Sequence, residues 1–288
     1  MFQVASHPSA FALHSHGQYA AQPIPQQQSS AVQLPRNLAR PKPTEVSRDA
    51  LYAAAPELDG VPLEYIRRGL RAQAQPQLSG INALSLPPSL PRSQLPSALK
   101  VHLRSLSGDS SYPTHLLAVS SSKSASSDHV HIFPIHAITF AASCARLPVL
   151  PPSSPAPSAN GNITIPVLPL SLPSAEAFTV VHGYLYTHRL DSVMTALGFP
   201  SSAFMQNLTH QTVRAAMQSP DTLHQLSVLL CQHTSGNLRT LMGLTARIKD
   251  FWQDLVGLGL YESELWDTLD LAWEILLGSL NLAAASQH

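Results

Sequence analysis

Charge is what this sequence has least of. Only 12% of its 288 residues are Asp, Glu, Lys or Arg, with 17 of each sign, against about 25% in an average globular protein. A neutral, sparsely charged chain carries neither the basic stripe that steers nucleic acid nor a field for acidic substrates. Cysteine is almost missing. Cys144 and Cys231 make no disulfide framework and no metal quartet, and both read as buried reduced thiols in helices. The 13 glycines never cluster into a phosphate-cradling loop, and no G-x-S-x-G nucleophile turn occurs. No run approaches the ~18 apolar residues of a membrane span. The first residues, MFQVASHPSAFALHSHGQ, lack the basic start and apolar core of a secretory leader. The sequons at Asn162 and Asn207 are therefore read as chance matches, and the expected location is intracellular, in nucleus or cytoplasm. Neither a membrane nor direct nucleic-acid contact is expected.

What is present divides the chain. Of 25 prolines, all but Pro200 and Pro220 stand at or before Pro173, so the front is interrupted and the back is helical. Apolar residues make up 44%, enough for a core. Residues 1–47, with Gln26-Gln27-Gln28, Ser29-Ser30 and no apolar period, read as a disordered tail. Residues 48–97 read as one short helix and a Pro-rich linker. In that helix Leu63, Ile66 and Leu70 share a face behind Pro62, while 73–96 return to Pro, Ser and Gln.

From residue 98 the period becomes two. Leu99, Val101 and Leu103 alternate with Lys100, His102 and Arg104, and 114–119 and 129–135 give two more strands. A turn at Gly108-Asp109-Ser110-Ser111 and a polar loop over 120–127 make antiparallel pairing of these strands the economical arrangement. The organising stretch is 126–190: a strand, a small-residue helix over 136–147, a breaker-rich loop, a second extended run over 163–170, and an amphipathic helix. Ser174 is the expected N-cap of that helix, with Glu176 near its positive end. Phe178, Val181 and Leu185, with Tyr184, form its apolar stripe. A short helix over 190–198 follows.

Ser219-Pro220 starts another helix. A long one carries Leu238, Leu241, Ile248, Trp252 and Leu255 inward and ends at Gly257-Leu258-Gly259. The last directs Leu265, Leu269, Ala272, Trp273, Leu276 and Leu280 inward. All three tryptophans fall on these two helices, which predicts a helical hairpin with an aromatic seam. Between Thr240 and His288 stand seven acidic and two basic residues, a net of −5.

Phe133-x-x-His136-Ala137-x-x-Phe140-Ala141-Ala142-Ser143, then Pro173-Ser-Ala-Glu-Ala-Phe178 and Tyr184-Leu-Tyr186-Thr187, resemble the BTB/POZ pattern over about 98–200. Arg146-Leu147-Pro148 departs from it where that family carries an aromatic. The stretches HIFPIHAITFAASCARLPVLPP, IPVLPLSLPSAEAFTVVHGYLYTHRLD and LMGLTARIKDFWQDLVGLGLYESELWDTLDLAWEIL resemble more closely the clampless protein family of mushroom-type and smut fungi, over residue 55 to the end. That resemblance implies a regulator of clamp-cell formation and dikaryotic, sexual growth with no assigned catalysis.

The expected fold is α+β: a BTB/POZ-like small sheet with helices over 98–200, an all-helical extension over 201–288, and a disordered N-terminus. Phe133, His136, Phe140, Phe178, Tyr184 and Tyr186 are expected to build its core. No catalytic, cofactor-binding or metal residue is assigned, and no cofactor. His129 and His131 share a strand face, but no Cys pair or acidic trio completes a zinc site. His182 and His188 stand six apart, a poor ligand spacing. The pairs Glu262/Glu264 and Asp267/Asp270 read as surface charge on a solvated helix face rather than acid–base groups. The expected function is a non-catalytic regulator working through protein partners, developmental or cell-cycle regulators, with a homodimer among the assemblies allowed. The alternatives are a BTB-type adaptor of a cullin ubiquitin ligase and an enzyme whose site is assembled from distant residues.

Overall fold

The computed structural model describes residues 34–105, 110–123 and 128–286. Three helices lead: α1 (Arg48–Ala54), α2 (Leu63–Ala72) and α3 (Ala74–Asn82). The strands are β1 (Leu84–Ser85), β2 (Ser89–Pro91), β3 (Ala98–Leu103), β4 (His115–Ser121), β5 (His129–Ile135) and β6 (Asn162–Leu172), with α4 (Ala137–Ser143) between the last two. Then come α5 (Ala175–Thr187), α6 (Leu190–Leu197), α7 (Ala203–Gln206), α8 (His210–Met217), α9 (Pro220–His233), α10 (Leu238–Leu258) and α11 (Ser263–Ala285). The protein is α+β with a helical C-terminal part.

The caps expected from sequence are in place. Ser174 accepts from the Ala177 N–H, Ser219 accepts from the Thr222 N–H ahead of Pro220, and Gly259 ends α10 in the left-handed region at φ 65°. The small-residue helix stops at Ser143, short of its expected end.

The six strands lie in the order β1-β3-β6-β4-β5-β2. β4 and β5 pair antiparallel as expected, but β3 does not pair with β4. β6 lies between them, antiparallel to β3 through residues 162–166 and parallel to β4 through 167–172. It changes partner at Pro166, which has no N–H to give a ladder. The turn expected at 108–111 and the loop over 120–127 fall partly outside the described residues.

Alternation along β4 divides the core. Leu116 and Ala118 face a cluster with Val101, Val130, Ile132, Ile163, Ile165 and Val167, over which the sheet curls. Leu117 and Val119 face the opposite way, into a larger cluster with Phe133, Phe140, Phe178 and Tyr184. That second cluster continues without a break through Phe251, Trp266 and Trp273, so α5 is shared by the sheet and the C-terminal helices. Six of the seven residues of α4 are buried. It lies between α5 and the pair α1–α2, with Ala141 and Ala142 against Leu51 and Ile66. Its small residues permit that double contact.

Three segments differ from expectation, the first being Arg48–Ala54, a helix ahead of the one expected within 48–97. The stretch 73–96 is not a bare linker: it holds α3 and the edge strands β1 and β2. Gly80 of α3 lies so close to the 110–112 segment that a Cβ would sit 1.7 Å from the Ser111 carbonyl oxygen, and Ser111 N–H bonds to Pro76 O. Tertiary contact, not helix propensity, orders this Gln/Pro-rich stretch. Residues 1–33 of the expected disordered tail lie outside the described residues. The rest of that segment, 34–47, begins as an extended strap on the helical hairpin. Leu38 is buried, the Trp273 indole donates to Pro35 O, the Trp252 indole donates to Ala39 O, and Arg40 reaches Asp267 and Asp270. The tryptophans therefore serve the strap as well as the seam, and Trp252 is half-buried rather than inward.

Candidate functional site

The last turn of α5 sends two tyrosines to two polar clusters. Tyr186 points to the end of β5. Its hydroxyl oxygen accepts the His136 backbone N–H at 2.9 Å and stands 3.1 Å from His136 Nδ1, while His136 Nε2 lies 3.0 Å from the Ser111 carbonyl. These contacts close if the tyrosine donates to Nδ1 and a neutral imidazole donates through Nε2. Burial, at 3% exposure, lowers the His136 pKa to about 4. Burial also lowers that of His182, whose Nε2 lies 2.8 Å from Pro134 O. His136 is thus a satisfied structural histidine, and the six expected core residues are all buried.

Tyr184 points toward the start of α11. Its hydroxyl donates to Glu262 Oε2 at 2.7 Å and stands 3.2 Å from Glu264 Oε1. His188, the left-handed C-cap of α5 (φ 49°), brings Nδ1 to 3.3 Å from Glu262 Oε2 and 4.0 Å from Glu264 Oε1. Arg71 of α2 reaches Glu264 at 3.0 Å and Glu262 at 3.8 Å. Both glutamates sit at the helix N-terminus because its exposed N–H groups favour negative charge there. Burial raises the Glu262 pKa, but contact with His188, Tyr184 and Arg71 outweighs it and the carboxyl ends below its ordinary range. Burial first, and the two carboxylates next, push the Tyr184 phenol upward. Beside the cluster lies a cleft of about 430 Å³ lined by Glu64, Arg67, Arg68, Arg71 and Tyr261 with residues 262–264.

This corrects the reading of Glu262 and Glu264 as charge on a solvated face. Glu262 is only 9% exposed, because α2, α5 and α11 converge on it. The only local signal is its place just before the helix start. Asp267 and Asp270 are likewise engaged, by Arg40, and Asp267 also by His210 at 2.7 Å. His129 and His131 stay on the exposed side of β5, away from His136. His182 and His188 part as well: the former enters the aromatic core, the latter joins the glutamates. Cys144 is buried, with its pKa raised by burial, and Cys231 is half-buried; neither is in a disulfide.

Comparison with known proteins gives the family. Residues 41–173 match the Clampless protein 1 N-terminal domain, and residues 190–288 match the Clampless protein 1 C-terminal domain. The chain belongs to the clampless protein family. No curated protein and no solved structure matches it. Among the described residues, no helix is long and apolar enough to cross a membrane.

Proposed function

We propose that this protein is a non-catalytic regulator of clamp-cell formation and dikaryotic, sexual growth, acting inside the cell through protein partners. The observation that carries the reading is the match to both clampless domains in one chain, together spanning most of its length. The architecture supports a single working body: one apolar cluster runs from β4 and β5 through α5 into α10 and α11. Its polar clusters support it too, since Tyr184, Glu262, Glu264 and Arg71 bind one another across α2, α5 and α11. Groups so engaged brace a scaffold whose outer surface is left for partners.

The test is genetic and biochemical together. In a clamp-forming fungus, disrupting the gene is expected to abolish clamp cells, and the full chain is expected to restore them. Full-length bait from the same cells should recover developmental or cell-cycle regulators. Normal clamps after disruption would sink the proposal. Stoichiometric recovery of a cullin would replace it with the ligase-adaptor reading.

A further inference from the structure

The cluster at the start of α11 has a composition that bracing alone does not require. His188 Nδ1, a carboxylate oxygen of Glu262 and one of Glu264 all lie within 4.8 Å of one another. In a tetrahedral zinc site with bonds of about 2.1 Å, neighbouring ligand atoms stand about 3.4 Å apart. The nitrogen lies 3.3 Å from one carboxylate oxygen and 4.0 Å from the other, so the first separation already fits and the rest lie within reach of a modest closure. The nitrogen is itself buried and completes no aligned hydrogen bond, although it faces two carboxylates. One imidazole with two carboxylates is a donor set for a borderline divalent ion rather than for magnesium or calcium, which take oxygen alone.

Charge leads the same way. Two carboxylates converge where Glu262 is almost wholly buried, and among the described residues Arg71 is the one guanidinium within ion-pair reach of them. Arg71 is 52% exposed, so it can swing out and leave the opening toward the cleft free. The rest of an outer shell stands ready. Tyr184 holds Glu262 Oε2 at 2.7 Å, which orients the carboxylate as outer partners of metal ligands do. The left-handed cap conformation at His188 fixes the imidazole beside the acids.

We propose that His188, Glu262 and Glu264 form a binding site for a divalent transition ion of the zinc class, with Arg71 as the cation that occupies it in the metal's absence. The ion would lock the end of α5, which lies between the two matched segments, to the start of α11 in the C-terminal one.

The experiment uses untagged full-length protein, dialysed against zinc and then against metal-free buffer, with bound metal counted by mass spectrometry. Cobalt substitution reports ligand geometry by its visible spectrum. One equivalent should be retained. Glu264→Gln, at a half-buried position that tolerates the change, should weaken binding by more than the ~10- to 100-fold typical of losing an outer partner, and His188→Ala likewise. Arg71→Gln should tighten it, because the competing cation is gone. His129→Gln with His131→Gln should leave it unchanged. Failure of the parent protein to retain zinc would overturn the site, as would retention unaffected by Glu264→Gln or loss in the β5 double variant.

Discussion

Tyr184 and Tyr186 leave the same turn of α5, yet the regions they enter manage buried polarity in opposite ways. Around Tyr186, at the edge of the sheet, every group is neutral: an imidazole, a phenol and a backbone carbonyl satisfy one another, and burial keeps His136 uncharged. Around Tyr184, where the N-terminal and C-terminal regions meet, two carboxylates and a guanidinium are held half-desolvated. The neutral cluster needs only geometry. The charged one needs partners from three elements distant in sequence, because an isolated buried carboxylate is too costly to keep ionised. Polarity within one region can be neutral and local, whereas polarity at a junction ties the regions to each other.

The predictions that sharpen or break this contrast run from large to small. Glu262→Ala removes the 2.7 Å acceptor of Tyr184 and the nearer carboxylate of His188, and should destabilise by ~2–4 kcal/mol, as leaving two buried polar groups short of a partner does. Urea unfolding measures it, and a cost below ~1 kcal/mol would mean the junction does not depend on the charged cluster. His136→Ala leaves the Tyr186 hydroxyl without an acceptor and the Ser111 carbonyl without its imidazole donor, and opens a small cavity, for a loss of ~2–4 kcal/mol. Unchanged folding would remove His136 from the core.

The two clusters should also separate by pH. The folded pKa of His136, about 4, lies below its ordinary 6.5. The unfolded chain therefore takes up a proton first as pH falls. Its contribution is complete above pH 6.5 and declines between about 6.5 and 4, by roughly 3 kcal/mol in all. Replacing His136 with Asn should remove that slope. Glu262, whose folded pKa is depressed, keeps its contribution above about 4.5 and loses it only as pH falls further. Asp254 on α10 works against the histidine. Burial raises its pKa to about 7 from 3.8, although Ser174 N–H donates to it and Lys123 faces it, and Asp250 pushes the same way as burial. The folded chain holds this proton longer than the unfolded one, so stability falls as pH rises from about 4 to 7. Asp254→Asn should make stability in that window rise more steeply with pH. A denaturant midpoint followed at several pH values tests both signs. The smallest effect is expected at the strap. Arg40→Gln breaks partly exposed ion pairs with Asp267 and Asp270 and should cost about 1 kcal/mol or less, diminishing in high salt.

Much of the fold was legible because its signals are local. Alternating apolar residues at Val101 and Leu103 mark β3, Ser174 and Ser219 cap helices by bonding three residues ahead, and Gly259 ends α10 with the positive φ that glycine tolerates. The order of the strands was not legible. β6 enters between β3 and β4 from more than forty residues away, a pairing chosen by two-sided burial of Leu116 and Leu117 rather than by any turn. Nor was the candidate site. Six-residue spacing marks His182 and His188 as a poor ligand pair, and the two side chains go to different places. The partners of His188 lie 74 and 76 residues further on, where Glu262 resembles any acid at a helix start.

Sequence by itself determined that this chain would be α+β in front and helical behind, where α5 and α9 begin and α10 ends, and that its motifs are those of the clampless family. These follow from periodicity and capping, which act over a turn or two of chain. Only the tertiary structure decided that residues 34–40 lie against the tryptophans, that α3 is a helix, and that Glu262 is buried with a histidine and a tyrosine. Those outcomes depend on what desolvates what across distances of many tens of residues, and no local pattern carries that.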